Sequence, residues 1–205
     1  MEQKEIKVVV YSDYICPFCY IGFHRIEKLK EQFNVDVEWR PYELHPEIPK
    51  NGVSVNSLRF PNGYLEMALA NVNRLAKEDG IELKYSEKFP NSQLALIFSE
   101  FARKAGKFDE FHKLVFDAYW KEGKDIGDPA VLLNIAESVD LDLKEMQEYS
   151  KSDEPLKILR ESTFELEKYG INGVPTFFIE DRIIFGAQPY EMFEMAINSI
   201  LEEDS

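Results

Sequence analysis

Cysteine, histidine and positive charge are all scarce in this 205-residue chain. It has two cysteines, three histidines, and 24 lysines and arginines against 38 acidic residues. A structural zinc site needs a complete tetrahedral set of nitrogen and sulfur ligands. The few candidates offer no such set at a suitable spacing, so we predict no metal. The net charge of −14 disfavours nucleic acid and anionic membranes as partners.

Long apolar runs are missing as well. No segment approaches the roughly 18 apolar residues of a membrane-spanning helix. Residues 1–5 lead directly into a predicted strand, without the basic start, apolar stretch and small-residue cleavage site of a secretory signal. We therefore expect the protein in the cytoplasm. In that compartment a closely spaced cysteine pair is more often catalytic or metal-binding than structural.

What the chain does have is a paired motif, Cys16-Pro17-Phe18-Cys19, which holds both of its cysteines. Hydrophobic residues make up 44% of the chain, enough for a core that needs no disulfide staple. A disulfide closing so short a loop would also remove little entropy from the unfolded chain. The run Ile6–Ser12 predicts a strand, and 20–33 predicts a helix. A cysteine pair at such a junction is typical of a reversible dithiol.

The beginning of that helix favours a reactive thiol. Backbone N–H groups without intrahelical partners and the positive end of the helix dipole stabilise a thiolate there. Pro17 suits the first helical position, which needs no backbone donor. Cys16 is therefore predicted to be an exposed nucleophile at the helix tip, with Cys19 one turn further in. Two plainer interpretations stay open: a pair of small buried apolar residues, or half of a zinc site.

The segments around the motif predict an α/β protein. Alternating apolar residues at 35–40 predict a second strand, so that strand, helix and strand form a βαβ unit with parallel strands. The turn Glu180-Asp181 between two later strands lacks the glycine that a two-residue hairpin usually has. In chain order, the other predicted segments are a proline-rich loop at 40–49, a helical block at 57–169, strands at 174–179 and 182–185, and a last amphipathic helix.

Four passages in this order carry a family resemblance. They are CPFC at 16–19, EWRPYELHPEIP at 38–49, GINGVPTFFI at 170–179 and FGAQPYEMF at 185–193. Together they resemble the DsbA-like branch of the thioredoxin fold and, within it, the FrnE-like subfamily, over nearly the whole chain. The resemblance implies an α/β thioredoxin fold with a central mixed sheet flanked by helices. It implies a thioredoxin-like domain formed by residues 1–50 and 155–205, and an inserted all-helical domain at 51–154.

The resemblance also implies roles for individual residues. Cys16 corresponds to the nucleophilic cysteine and Cys19 to the resolving one. Pro175 corresponds to the cis-proline that faces the cysteines in this fold, and Val174 to the residue whose backbone pairs with an extended substrate segment. The rest of the expected substrate-binding set is Pro17, Phe18 and Thr176.

Two departures from related families shape the predicted chemistry. Oxidising DsbA proteins carry a histidine between the cysteines, whereas this chain has Phe18, which offers a thiolate neither charge nor a hydrogen bond. Hydroxychromene-carboxylate isomerases and kappa-class glutathione transferases share the fold but typically have serine where this chain has Cys16. The sequence therefore favours disulfide exchange over glutathione-assisted isomerisation.

The predicted function is that of a thiol–disulfide oxidoreductase or isomerase acting on protein or peptide thiols and disulfides. Glutathione is a candidate co-substrate, and no other cofactor is expected. Two alternatives stay open: a glutathione-dependent isomerase or transferase acting on a small aromatic molecule, and a redox-switched, holdase-like protein that binds unfolded chains. The protein is expected to be a monomer or a homodimer.

Several polar residues near the motif have open roles. Asp13 and Tyr14 either line the site or form a turn. Glu38 or Glu43 is a candidate acid for deprotonating Cys19, although a solvated carboxylate is the favoured interpretation of each. The three histidines are predicted to be a helix-flank residue, a loop residue and the flank of a packing face, in the order His24, His45 and His112.

Overall fold

The front of the molecule is a βαβ unit. The computed structural model describes residues 4–59 and 61–203, and it opens with strand β1 (Ile6–Ser12), helix α1 (Pro17–Gln32) and strand β2 (Val35–Pro41). β1 and β2 are parallel. The predicted unit is confirmed. Helix α1 begins at Pro17 and not at residue 20, because the fixed φ of proline already fits the first helical position.

A mostly helical segment follows. Its elements are β3 (Val53–Ser54), a 3₁₀ turn (Val55–Ser57), α2 (Tyr64–Glu78), β4 (Lys88–Phe89), α3 (Gln93–Lys104), α4 (Phe108–Trp120), α5 (Pro129–Ser138), α6 (Leu143–Tyr149) and α7 (Glu154–Glu167). The fold class with a helical insertion is confirmed, but the segment is not helical throughout. β3 and β4 form a small antiparallel sheet. Two-residue strands carry too little alternation for a sequence pattern to reveal them.

Helix α7 contacts both parts of the molecule. It packs against β2 and against α3. Its Glu165 forms an ion pair with Arg40 of β2 at 2.6 Å and accepts a hydrogen bond from the Tyr11 hydroxyl at 3.3 Å. The limits 51–154 for an inserted domain stay a prediction, because the structure packs α7 against elements on both sides of that boundary.

The back of the molecule completes the sheet. Strands β5 (Thr176–Ile179) and β6 (Arg182–Phe185) form an antiparallel hairpin, and helix α8 (Tyr190–Glu203) ends the described chain. The strand order is β2-β1-β5-β6, with β5 antiparallel to β1. The hairpin closes without glycine because Glu180 adopts a left-handed φ of 51°.

Strand β1 lies at the centre of both the sheet and the core. It is paired with β2 on one side and β5 on the other, and Val8 and Val10 are fully buried. On the same face of the sheet, Phe177 of β5 meets Phe193 of α8 edge to face, with ring centroids 4.9 Å apart. The main apolar cluster joins the strands and α1 to the inserted helices, through residues such as Ile26, Leu29, Ala95, Phe98, Phe111, Val115 and Phe116. Sheet and insertion therefore share one core.

A buried arginine connects α1 to two other segments. Arg25 keeps 2% of its surface exposed. Its Nε donates to the Asp79 carboxylate at the end of α2 at 2.7 Å, and its Nη1 donates to the carbonyl oxygens of Ala187, at 2.8 Å, and Gln188. One guanidinium thus holds the end of α2 and the loop before α8 against α1.

None of the helices in residues 4–59 and 61–203 is long and apolar enough to span a lipid bilayer.

Candidate active site

The cysteine motif forms the first turn of α1. Cys16 is the residue that caps the helix, and Pro17 occupies its first position. The Cys16 side chain makes no capping hydrogen bond, while its carbonyl oxygen accepts from the backbone N–H of Cys19 at 3.0 Å. Both cysteines are free thiols. The structure therefore represents the dithiol form, with one sulfur at the helix tip and the other one turn inside.

The loop directly before β5, which contains Val174 and Pro175 and is called the Val174 loop below, lies against the Cys16 sulfur. The Val174–Pro175 peptide bond is cis. The Cys16 thiol donates to the carbonyl oxygen of Val174 at 3.5 Å, and the Pro175 carbonyl accepts from the backbone N–H of Gly186 at 2.8 Å. The structure thus brings together Cys16, Cys19, Val174 and Pro175, four of the residues expected at the site.

The exposure of Cys16 differs from the prediction. The residue keeps only 4% of its surface, so the expectation of an exposed thiol at the helix tip is wrong. Cys16 is buried because tertiary packing places it within the main apolar cluster, against which Val174 also packs. Access to the Cys16 sulfur is therefore restricted in this structure.

Cys19 is more deeply enclosed. It has no exposed surface, and burial together with the neighbouring Cys16 raises the pKa of its thiol well above the usual range. The Ser12 side chain and the Asp13 backbone lower this pKa, but their effect is smaller than that of burial. In the dithiol form Cys19 therefore holds its proton, which suits a thiol that reacts second.

A buried carboxylate organises the loop that leads to the motif. Asp13 has no exposed surface, and its carboxylate accepts from the backbone N–H of Leu44 at 2.7 Å, the Ser92 hydroxyl at 3.0 Å and the backbone N–H of Ile15 at 3.3 Å. Burial raises the pKa of Asp13 to about 6, against the lowering effect of these donors. Asp13 thus ties the loop after β2 and the beginning of α3 to the cysteine loop.

The next residue begins a second buried polar network. The Tyr14 hydroxyl lies 2.5 Å from Ser99 Oγ and 2.7 Å from His112 Nδ1. His112 is buried and stacks on Phe108 with ring centroids 4.8 Å apart. Burial, with a smaller effect of nearby Arg103, lowers the pKa of His112 well below its usual range. The ring is therefore neutral. The network ties Tyr14, two residues before Cys16, to α3 and α4.

The family described as "DSBA-like thioredoxin domain" matches residues 7–198. The chain belongs to this DsbA-like family. Its relatives include the uncharacterized protein YwbO of Bacillus subtilis, 32% identical over 196 residues that cover 94% of this chain and 96% of YwbO. They also include the 2-hydroxychromene-2-carboxylate isomerase of Sphingobium xenophagum, 23% identical, covering 90% of this chain and 94% of that protein.

Solved structures show the same DsbA-like fold. A Streptomyces coelicolor protein named "probable DsbA oxidoreductase SCO1869" superimposes with a TM-score of 0.81 at 22% identity, over 95% of this chain and 89% of that one. A 2-hydroxychromene-2-carboxylate isomerase superimposes with a TM-score of 0.80 at 21% identity, over 97% of both chains. The fold is thus common to proteins named as oxidoreductases and as isomerases.

The other predicted substrate-binding residues of this DsbA-like protein differ in exposure. Pro17 and Phe18 are partly exposed at the start of α1, and Phe18 also packs against the apolar cluster formed with α2. Thr176 keeps 1% of its surface, and its hydroxyl donates to the Gly173 carbonyl at 2.8 Å. The role of Thr176 in substrate binding stays a prediction, and in this structure its side chain is tied to the loop before β5.

The predicted acids are engaged elsewhere. Glu38 forms ion pairs with Lys7 at 3.2 Å and Arg40 at 2.7 Å, in the middle of β2. Glu43 accepts from the side-chain amide of Gln93 and contributes to the raised pKa of Asp13. Neither is among the main influences on Cys19. Within the described ranges, no group of three or more histidine, cysteine, aspartate and glutamate residues is arranged to hold a metal ion.

Sequence reasoning missed or left open three buried residues near the cysteine motif. Ser12 carried no expectation, Tyr14 had two, and His112 was expected only at the flank of a packing face. The one available signal was the run of polar and aromatic residues directly before the motif. The partners of Tyr14, Ser99 and His112, lie 85 and 98 residues away in the chain, so no local pattern could reveal the contacts.

Proposed function

We propose that this DsbA-like protein is a thiol–disulfide oxidoreductase that works through Cys16 and Cys19. The observation that carries the proposal is the unequal environment of the two thiols. Cys16 caps α1 beneath a loop with a cis-proline, whereas Cys19 is wholly buried and keeps its proton. Cys16 thus lies at the helix tip under a single loop that would have to move for a substrate to reach it, and Cys19 is placed to react only with Cys16.

The proposed reaction has two exchange steps. The Cys16 thiolate attacks one sulfur of a substrate disulfide, forms a mixed disulfide and releases the other substrate sulfur as a thiolate. Cys19 then loses its proton and attacks the Cys16 sulfur, which closes the Cys16–Cys19 disulfide and releases the second substrate thiolate. Two electrons pass from the cysteine pair to the substrate. The reverse sequence oxidises a substrate dithiol.

We propose that the partners are protein or peptide thiols and disulfides, with glutathione as a co-substrate, and that an extended substrate segment pairs with the backbone of Val174. Pro17 and Phe18 would contact that segment beside the Cys16 thiol. Placement in the FrnE-like subfamily and location in the cytoplasm belong to the same proposal. A titration of the cysteine pair in glutathione buffers measures its reduction potential and so the direction of exchange.

The decisive test compares two serine variants in the reduction of a peptide disulfide such as that of insulin. Cys16→Ser should abolish turnover. Cys19→Ser should stop after the first step and accumulate a mixed disulfide, visible as added mass on the intact protein. Matched denaturant titrations show whether each variant remains folded. Retained turnover in folded Cys16→Ser would reject the proposal.

A second candidate function is supported by the isomerase relatives. Proteins named 2-hydroxychromene-2-carboxylate isomerase are 23% identical to this chain over most of its length. A glutathione-dependent isomerase of a small aromatic molecule would need glutathione but not a second cysteine. Turnover of such a molecule that survives Cys19→Ser, together with a lack of insulin reduction, would favour this candidate. Redox-dependent binding of unfolded chains without turnover would point to a holdase instead.

A further inference from the structure

Strand β6 is an open edge of the sheet, because its only neighbouring strand in the described part of the chain is β5. The backbone N–H of Gly186 donates to the carbonyl oxygen of the residue before β5, and bonded and non-bonded pairs alternate along an antiparallel ladder. The backbone groups of Ile184 therefore face β5, whereas those of Ile183 and Phe185 point away from it. The Phe185 carbonyl accepts from the side-chain amide of Gln188 at 2.8 Å and keeps a second lone pair. These outward groups can pair with an added strand.

The two edges of the sheet differ in protection. Natural proteins keep an edge strand from pairing with other chains by placing charged residues or proline on it. The opposite edge strand, β2, carries Asp36, Glu38, Arg40 and Pro41, and helix α7 packs against it. Strand β6 has Arg182 as its one charged residue and contains no proline. Its composition therefore leaves it open to pairing.

Apolar side chains are exposed on both sides of the β6 edge. Ile183 and Phe185 lie on the face of the sheet opposite α8 and keep 37% and 52% of their surface exposed. Met192 and Met195 of α8 keep 46% and 65% exposed. We call these four residues the β6 edge surface. It extends over two layers, the strand and the helix beneath it.

The position of the two methionines follows from the direction of α8, which runs antiparallel to β6. Phe193 contacts Phe177 of β5, whereas Ser199 and Glu203 accept hydrogen bonds from Arg182 at 3.1 and 2.7 Å. The methionines precede Ser199 by four and seven residues, so they lie on the same helical face. The opposite face of α8 contacts α1. The methionines therefore flank the open edge.

We propose that the β6 edge surface is the contact between two copies of this chain. In this dimer the two β6 strands pair antiparallel around a twofold axis, with Ile184 opposite the Ile184 of the second copy. Ile183 then lies opposite Phe185 of the second copy, and these residues exchange backbone hydrogen bonds. The two sheets join into one, and the two α8 helices lie side by side beneath it.

A second copy fits this surface better than a foreign extended segment does. Such a segment would pair with the backbone of β6 by strand addition. It would leave Met192 and Met195 uncovered, because they lie one layer below the strand. A second copy presents both layers at the matching spacing, strand beside strand and helix beside helix. Methionine and aromatic residues are also the types enriched at protein–protein interfaces.

The charges at this edge are compatible with self-association. Arg182 is already paired with Glu203 at 2.7 Å and with Asp181 at 3.3 Å. In the proposed register it lies opposite Gly186 of the second copy, so no like charges face each other across the two strands. The net charge of −14 on each chain opposes association at long range, and salt of about 0.15 M screens charges more than about 8 Å apart.

Analytical ultracentrifugation of the reduced chain in such salt, at micromolar concentrations, tests the dimer. We expect a mass twice the 23.9 kDa of one chain. Met195→Glu should raise the dissociation constant about tenfold or more, because a twofold contact buries the new charge twice. The matched control is Met67→Glu on α2, where the side chain is 66% exposed, and it should associate like wild type.

Ile183→Pro tests the strand pairing itself. Proline removes an N–H that points away from β5, so the hairpin keeps its own hydrogen bonds while the edge loses a donor. We expect this variant to be monomeric, and a urea titration shows whether it is folded. If it does not fold, Ile183→Lys takes its place, because it puts a charge at the same contact without changing the backbone.

A cysteine at the twofold axis tests the register. In a chain with Cys16→Ser and Cys19→Ser, Ile184→Cys places two thiols opposite each other, with Cα atoms about 4.5 Å apart, which suits a disulfide. We expect a covalent dimer on mild oxidation with copper–phenanthroline. Met67→Cys in the same background is the control and should stay largely monomeric. A dimer that Ile184→Cys does not cross-link would overturn the proposed contact.

Other results overturn the inference in distinguishable ways. A wild-type chain that stays monomeric rules out the second copy. If amide exchange at Ile183 and Phe185 of a monomeric chain slows only when an apolar strand-forming peptide is added, the edge binds a foreign strand instead. A dimer that survives both Met195→Glu and Ile183→Pro, or that Met67→Glu also abolishes, is held by another surface. None of these results bears on the thiol chemistry, which has its own test.

Discussion

The Cys16 thiol donates to the carbonyl oxygen of Val174, 3.5 Å away in space and 158 residues away in sequence. This contact joins the beginning of α1 to the loop before β5. It also explains why Cys16 is buried although it caps a helix. We therefore expect access to this thiol to depend on how readily the Val174 loop moves.

Loosening that loop should expose the thiol. We predict that Val174→Gly increases the rate of Cys16 alkylation by iodoacetamide several-fold, because glycine removes packing and adds backbone freedom. Mass spectrometry of the labelled peptide measures this rate. The matched control is Val9→Ala, which removes side-chain volume from an apolar cluster that Val174 also contacts. Equal labelling in wild type and Val174→Gly would show that the loop does not limit access.

Asp13 should make stability depend on pH in a particular direction. Its pKa rises from 3.8 in the unfolded chain to about 6 in the folded protein, so the folded state favours the protonated form. Protonated Asp13 therefore stabilises the folded protein fully below the unfolded pKa, and this stabilisation is lost as the pH rises through the folded pKa. The shift corresponds to about 3 kcal/mol.

Asp13→Asn cannot ionise and should lack this dependence. Urea titrations between about pH 3 and pH 7 should show the stability of wild type, relative to Asp13→Asn, falling by about 3 kcal/mol as the pH rises. Asp36→Asn, at an exposed position on β2, is the control. Parallel pH curves for wild type and Asp13→Asn would contradict the prediction.

His112 should act in the opposite direction. Its lowered pKa means that the folded state favours the neutral ring, so stability is present above the unfolded pKa of about 6.5 and is lost as pH falls below it. His112→Phe should destabilise the protein near neutral pH, because Tyr14 loses a hydrogen-bond partner. That deficit should shrink in acid.

Urea titrations near pH 7.5 and pH 5 measure how much less stable His112→Phe is than wild type. These two pH values lie about one unit or more above and below the usual histidine pKa. His45→Gln is the control, because His45 lies in an exposed loop beside Glu47. A deficit of equal size at both pH values would show that His112 is not held neutral by its surroundings.

Arg25 should be intolerant of even a charge-conserving change. Arg25→Lys keeps the charge but cannot reach Asp79, Ala187 and Gln188 together, because lysine lacks the planar fork of the guanidinium. We predict a loss of about 2 kcal/mol in the free energy of unfolding by urea. Arg74→Lys, in an exposed pair with Glu78, should cost less than about 0.5 kcal/mol. Similar losses in both variants would refute this role of Arg25.

The parts of the fold that follow local rules were predictable from the sequence. The apolar run of β1, the proline at the first position of α1 and the alternation in β2 each specify local structure, and the βαβ unit follows from their order. The hairpin of β5 and β6 also follows from its two apolar runs, although the left-handed Glu180 could not be foreseen from a turn without glycine.

The buried polar contacts around the cysteine motif were not predictable from the sequence, because they depend on residues distant in the chain. Whether Asp13 is a solvated turn residue or a buried carboxylate depends on Leu44 and Ser92, which only the tertiary fold brings near. The same holds for Cys16, whose burial depends on a distant carbonyl group. Sequence patterns report which segments are apolar, but they do not report which polar groups find partners inside the core.

The central position of β1 has a consequence during synthesis. The ribosome releases β1, α1 and β2 early, but the strand that pairs with the other edge of β1 is β5, near the end of the chain. Until that strand emerges, the nascent chain carries an open strand edge next to two uncovered thiols. The two thiols are thus open to exchange with other thiols until β5 has been made and has paired with β1.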